Sequence, residues 1–182
     1  MTALAQTVTI ETTPSPEDLV AQARAMIPML RERAAQGAQN RHVADDIIDE
    51  MKRRGFFRVL QARRWGGYEM SPAVFCDIAM ALAEVDMSVG WIYGVVGVHA
   101  WQLNVMDDRA AQEVWGRDSS TIISSSYMPA GKAVPEGDGF RLSGQWGYSS
   151  GSHHCDWVFL GGMVQAEGET LSPSCSQAVV HA

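Results

Sequence analysis

Basic charge is scarce in this chain. Only 14 Lys and Arg stand against 21 Asp and Glu among 182 residues, a formal net charge of −7. Without a basic face to neutralise phosphates, nucleic acid is excluded as an expected partner. Cysteine is scarcer still: Cys76, Cys155 and Cys175 are odd in number and show no CxxC spacing. That argues against a disulfide framework or a structural zinc site and points to a reducing cytoplasm. The opening MTALAQTVTIETTPSPEDLV has no basic start and no long apolar run, so it lacks the form of a secretory signal. Met87 to Met106 contains no Asp, Glu, Lys or Arg and has the length of a bilayer span. It is interrupted by Gly90, Gly94, Gly97, His99, Gln102 and Asn104 and flanked by Asp86, Asp107 and Asp108, so it reads as helix buried in protein, with no membrane partner. What the chain does have is 46% hydrophobic residues, enough for the core of one domain or one and a half.

Residues 1–14 read as a flexible tail. Leu19, Ala23, Met26 and Leu30 recur at helical spacing and predict a first helix over 16–36, kinked at Pro28 and ended by Gly37. Val43, Ile47, Ile48 and Met51 predict a second over 43–54, closed by Gly55. A loop or brief extended stretch with a turn at Gly66-Gly67 follows. Ser71-Pro72 then opens a long helix with the stripe Val74, Phe75, Ile78, Leu82 and Val85. Gly90 and its neighbours should break it before a further helix over 92–105, and a short helix should span 107–116.

After residue 117 the pattern changes to short β-branched or aromatic runs separated by Gly, Pro and Asp, with a hairpin signal at Glu136-Gly-Asp-Gly139. The fold class expected is α+β: a helical domain over 15–117, then the start of an antiparallel β domain over 118–164. The stretch 165–182 is an atypical, small and polar tail that offers no completion for the sheet, so the chain reads as cut short, with an open sheet edge.

Four segments, MKRRGFFRVLQARRWGGYEMSP, ALAEVDMSVGWIYGVVGVHAW, TIISSSYMPAGKAVPEGDGFRLSGQWGYSSG and HHCDWVFLGG, occur in an order and spacing that resembles the acyl-CoA dehydrogenase superfamily. The resemblance is narrower to its flavin-dependent monooxygenase branch, the oxygenase components of two-component aromatic and phenol hydroxylases. It implies an incomplete β-barrel or sheet after the helices and no C-terminal four-helix bundle in this chain. It also implies a reduced flavin cofactor, FMNH2 or FADH2, supplied by a separate flavin reductase. Oxygen and that flavin would form a C4a-hydroperoxyflavin that hydroxylates a small aromatic substrate. The open sheet and the helices that would pack on the bundle should leave apolar surface exposed, so a homo-oligomer is expected.

Carried over by motif, the resemblance places Ser150, or Ser149, at the flavin beside Trp146, Ser125 by the substrate or flavin edge, and His99 near the substrate hydroxyl with Trp91 in the same pocket. The residues also admit plainer readings. His99 lies in an apolar helix and suits a core histidine; Trp91, Tyr93 and Trp101 suit helix packing; the serines suit strands and turns. His153, His154 and Cys155, taken as a strand, alternate faces and make a poor chelate, so no metal is expected. Gly90, Gly94 and Gly97 follow no strand and serve close helix packing rather than a dinucleotide. Arg53, Arg54, Arg63 and Arg64 form a solvated charged face. An acyl-CoA dehydrogenase proper, or a non-catalytic fragment of the family, are the alternatives to the monooxygenase.

Overall fold

The computed structural model describes residues 13–164 and 175–181, and for the last segment mainly its backbone. The expected tail at 1–14 therefore lies, up to residue 12, outside the described residues. Among the described residues, seven α-helices come first: α1 (Pro16–Ala25), α2 (Ile27–Asn40), α3 (Asp45–Arg53), α4 (Pro72–Ala83), α5 (Met87–Gly97), α6 (His99–Asn104) and α7 (Asp108–Trp115). Four strands follow: β1 (Ile123–Glu136), β2 (Gly139–Ser143), β3 (Trp157–Val164) and β4 (Cys175–His181). The expected order of helices and then sheet is observed. Among the described residues, no helix is long and apolar enough to cross a membrane, and Met87 to Met106 is divided between α5 and α6 and the turn after it.

The helix starts follow from capping chemistry. At α1, the Ser15 hydroxyl accepts from the Asp18 amide at 3.1 Å while the Asp18 carboxylate accepts from the Ser15 amide at 3.2 Å, so two otherwise unpaired donors are satisfied reciprocally. Ser71 caps α4 ahead of Pro72, and Asp86 and Asp107 cap α5 and α7. Two helix limits differ from expectation. The long first helix is divided at Met26, because Pro28 sits in the first turn of a new helix, where its missing N–H costs nothing. That helix runs through Gly37 to Asn40 and stops at Arg41, which is left-handed at φ 52°. Gly90 does not break a helix either: the chain turns at residues 84–86, where the Asp86 carboxylate accepts from the amides of Ser88 and Val89, and Gly90 lies inside α5.

Between α3 and α4 the chain has only two short 3-10 turns, at Phe56–Arg58 and Arg63–Trp65. Side chains satisfy this segment's backbone, as buried irregular chain requires. Asn104 donates to Leu60 O at 2.9 Å and accepts from the Ala62 amide at 3.1 Å, and Gln61 donates to Trp65 O and Ser119 O. Of the arginines expected on a solvated face, Arg54 instead pairs with Glu50 and donates to Gln22 O at 3.1 Å.

The helical core is built on Leu19, Leu30, Ile48, Met51, Phe56, Ile78, Leu82 and Tyr93. A second apolar cluster, in which Leu103, Val114 and Trp115 meet Ile123 and Phe159, fastens the helices to the sheet. The strand order is β2-β1-β3-β4. β1 pairs antiparallel with β2 through the expected hairpin and β3 antiparallel with β4, but β1 and β3 run parallel, so the sheet is mixed rather than antiparallel throughout. The tail also departs from expectation. Cys175–His181 pairs along the whole of β3, from Trp157↔His181 to Met163↔Cys175, and covers the edge that seemed open; residues 165–174 lie outside the described residues.

The β1–β3 ladder is interrupted once. Ser126 stands opposite Leu160 and Gly131 opposite Gly162, so β1 spends three more residues than β3 over this stretch. The excess is thrown outward as an exposed bulge, residues 127–130.

Candidate active site

The bulge, the loop after β2 and the face of α5 enclose a cavity of about 240 Å³. Trp91 and Val95, one helical turn apart on α5, form one wall. β1 brings Ser125 and its bulge Tyr127 and Met128, and the loop brings Tyr148 and Ser150. Two hydrogen bonds hold the loop: Ser126 Oγ donates to Gly147 O at 2.6 Å, and Trp91 Nε1 donates to Ser150 Oγ at 3.3 Å. Tyr148 is 99% exposed and has φ 59°, a left-handed backbone that a bulky residue rarely adopts and that often marks a functional segment.

Behind this wall, Trp146 is seated in a glycine slot. Its indole donates to Gly161 O at 2.7 Å. A Cβ at Gly131 would stand 2.2 Å from Trp146 Cζ2, and one at Gly144 would stand 2.9 Å from Cη2. Only residues without side chains let the ring lie flat there. Trp146 thus supports the loop from behind and does not line the cavity.

His99 lies beneath the bulge and is 1% exposed. Its Nδ1 is 2.8 Å from Ile123 O, so Nδ1 carries the proton and donates it, while the buried Nε2 has no partner. Its ring packs against Tyr127 and Phe159, with centroids 5.7 and 5.5 Å away. Burial holds its pKa below the ordinary histidine value, against the raising influence of the backbone hydrogen bonds. The Tyr127 hydroxyl donates to Gln102 Oε1 at 2.6 Å, and burial raises its pKa while the Ser125 hydroxyl works the other way.

Of the residues singled out from sequence, Trp91, Ser125 and Ser150 converge on one cavity. Ser149 is adjacent, its Oγ buried without a partner. Trp146 and His99 do not line the cavity, and the His99 ring packs against Tyr127, which does. Of the three helix aromatics, Tyr93 alone is core; Trp91 is 59% exposed and Trp101 54%. Tyr127 and Tyr148 escaped sequence reasoning, since the bulge breaks the two-residue period that would have assigned Tyr127 a face, and nothing local marks Tyr148 as left-handed.

A larger cavity of about 780 Å³ lies on the other side of Trp91 and Ser150, which line both. Its far wall carries His42, His153 and His154. The strand expected at His153-His154-Cys155 is corrected here. Ser152–His154 is a 3-10 turn and not a strand, so the premise of alternating faces fails, and His154 turns toward Asp45, with Nδ1 3.0 Å from Oδ1.

The comparisons with known proteins agree with this architecture. The chain is 46% identical over 122 residues to a pigment production hydroxylase of Rhodococcus erythropolis, an alignment covering 67% of this chain and 31% of that protein. It is 41% identical over 146 residues to the flavin-dependent monooxygenase oxygenase subunit HsaA of Mycobacterium tuberculosis, covering 80% of this chain and 37% of that one. The chain therefore spans about a third of the length of these curated relatives. The crystal structure of the M. tuberculosis HsaA monooxygenase superposes with a TM-score of 0.88 at 36% identity, over 92% of this chain and 46% of that one. Residues 13–115, more than half of the chain, match the family model described as the N-terminal domain of acyl-CoA dehydrogenase, and the chain belongs to that family.

Proposed function

We propose that this chain supplies the flavin- and substrate-facing wall of the oxygenase component of a two-component monooxygenase that hydroxylates a small aromatic, phenolic compound. The observation that carries the reading is the convergence of Trp91, Ser125 and Ser150, from three separate elements, on one cavity, in a chain similar to the HsaA oxygenase subunit. A reduced flavin, FMN or FAD, would activate O2 and deliver one oxygen atom to the ring. A separate reductase would supply that flavin, as the words "oxygenase subunit" in the relative's name suggest.

The residues fit such a group. Among the described residues, those lining the smaller cavity are uncharged, and hydroxyls dominate its polar surface. The buried and unpartnered Oγ of Ser149 and Nε2 of His99 are polar atoms in want of a partner. Ser149 and Ser150 would hydrogen-bond the flavin's polar edge, with Trp146 holding their loop from behind. Trp91 would stack on the aromatic substrate, and Ser125 would orient its hydroxyl. His99, kept neutral by burial, would keep a lone pair at Nε2 to accept the phenol proton.

The cavity is small for a flavin and a substrate together, and Trp91, Tyr127, Met128 and Tyr148 are all exposed around its mouth. An apolar rim of this kind suits closure by further protein, and a homo-oligomer supplies it. The free thiols Cys76 and Cys155 accord with a cytoplasmic setting. The test is hydroxylation of simple phenols by this chain with a flavin reductase, NADH, flavin and ¹⁸O2. One ¹⁸O atom in a product whose formation drops at least tenfold in Ser125→Ala is expected. Binding of reduced flavin without any oxygenated product would contradict the activity.

A further inference from the structure

His42 and His154, on the wall of the larger cavity, meet Asp45, and the three come from three places in the chain. His42 follows the left-handed Arg41 that ends α2, Asp45 is the first residue of α3, and His154 ends the 3-10 turn. Asp45 Oδ1 is 3.0 Å from His154 Nδ1 and 3.6 Å from His42 Nε2. The imidazoles stack with centroids 4.9 Å apart, and one donor atom from each of the three residues lies within 4.8 Å of the others.

We propose that these three side chains bind a divalent transition-metal ion of the zinc or cobalt class. A tetrahedral ion with ligands at about 2.0–2.1 Å sets its donors roughly 3.3–3.4 Å apart, and the 3.0 and 3.6 Å separations bracket that value. Two imidazoles and one carboxylate form a donor set these ions favour, and water would complete the fourth position. Both ring nitrogens converge on a single carboxylate oxygen, and a cation between them would satisfy all three groups at once. The His154 side chain is 5% exposed and Asp45 80%. Binding the ion would displace the proton that His154 Nδ1 shares with Asp45 Oδ1. His153 stands edge-on to His42 at 5.8 Å. Of the other charged groups on this cavity, Arg33 is tied to Asp46 at 3.1 Å, while Arg41 and Asp86 balance one another in sign.

The ion would act as a clamp. It would fasten the α2–α3 corner to the turn at 152–154, and through that turn would fix the loop that carries Ser149 and Ser150. The site stands independently of the flavin reading, since none of its ligands lines the smaller cavity.

The test is a Co²⁺ titration of the full chain without a histidine tag, followed by Zn²⁺ displacement and by thermal unfolding with and without Zn²⁺. The expected result is one Co²⁺ per chain with the visible absorption of a tetrahedral ion, no sulfur-to-cobalt charge-transfer band, and a Zn²⁺-induced rise in Tm. Asp45→Asn, at an exposed position, and His42→Gln should each weaken Co²⁺ binding by about tenfold or more and abolish the Zn²⁺-induced rise while remaining folded. Absence of saturable binding, a charge-transfer band showing cysteine ligation, or unchanged affinity in both folded variants would overturn the proposal.

Discussion

Gly90 and Gly94 lie one turn apart on α5, and the same substitution should move stability in opposite directions at the two. A Cβ on Gly90 would stand 2.5 Å from Ala83 Cβ, 2.8 Å from Ala83 Cα and 2.9 Å from Ala83 N. The obstacle is largely backbone and cannot rotate away. Nor can α4 and α5 slide apart easily, because only three residues, 84–86, join them. At Gly94 a Cβ would meet nothing within 4 Å among the described residues. Alanine gains about 1 kcal/mol over glycine in a helix interior at either site. At Gly90 overpacking costs about 1–3 kcal/mol, and backbone contact favours the upper half of that range. Gly90→Ala should therefore lose roughly 1–2 kcal/mol and Gly94→Ala should gain about 1 kcal/mol. The gap of about 2–3 kcal/mol corresponds to roughly 4–12 °C in Tm for a chain of this size. Urea unfolding followed by tryptophan fluorescence measures it, with equal m-values required for the comparison. Equal midpoints, or a Gly90→Ala protein more stable than Gly94→Ala, would refute the view that Gly90 exists for helix contact.

Other consequences are equally direct. Gly161→Ala places a Cβ 2.4 Å from Tyr127 O, backbone against backbone, and should cost at least about 2 kcal/mol in the same assay while also displacing the Trp146 indole. His99 is held below its ordinary pKa in the folded chain. Stability is therefore full above the unfolded-state value near 6.5 and falls with decreasing pH below it, at no more than about 1.4 kcal/mol per pH unit for this group; His99→Asn should flatten that acid limb in melts between pH 5 and 7. Burial pushes the Cys155 thiol up to about 12, whereas Cys76 is exposed. Iodoacetamide at pH 8 should therefore alkylate Cys76 in the native chain and reach Cys155 only after unfolding, as read by peptide mapping.

Features governed by local chemistry were legible in the sequence. Ser71 announces a helix start because a cap needs only its own turn, and Gly55 ends α3 left-handed, at φ 76°, as its position suggested. Gly37 and Gly90 misled because glycine permits a break without causing one. Gly90 is explained by Ala83, a partner on another helix that no local pattern displays. The parallel β1–β3 pairing and the bulge at 127–130 depend on register between strands some thirty residues apart, so Tyr127 could not be assigned to the cavity. β4 was missed for a similar reason: CSQAVVH is weakly apolar alone, and its pairing is fixed by β3. In the candidate site, the resemblance singled out Trp91, Ser125 and Ser150, which line one cavity, but the depth of His99 and the supporting position of Trp146 required coordinates. The histidine cluster was invisible because His42 and Asp45 precede His154 by more than a hundred residues.

Trp91, Ser149 and Ser150 would border the proposed flavin site, and anaerobic titration of this chain with reduced FMN and reduced FAD tests this most directly. The six tryptophans include Trp91 on the cavity wall and Trp146 behind the loop, so binding should quench fluorescence saturably at micromolar flavin. Ser150→Ala should weaken that binding by about tenfold, the worth of one lost hydrogen bond of about 1.4 kcal/mol. A chain that remains folded by circular dichroism yet shows no saturable quenching with either reduced flavin would contradict the account.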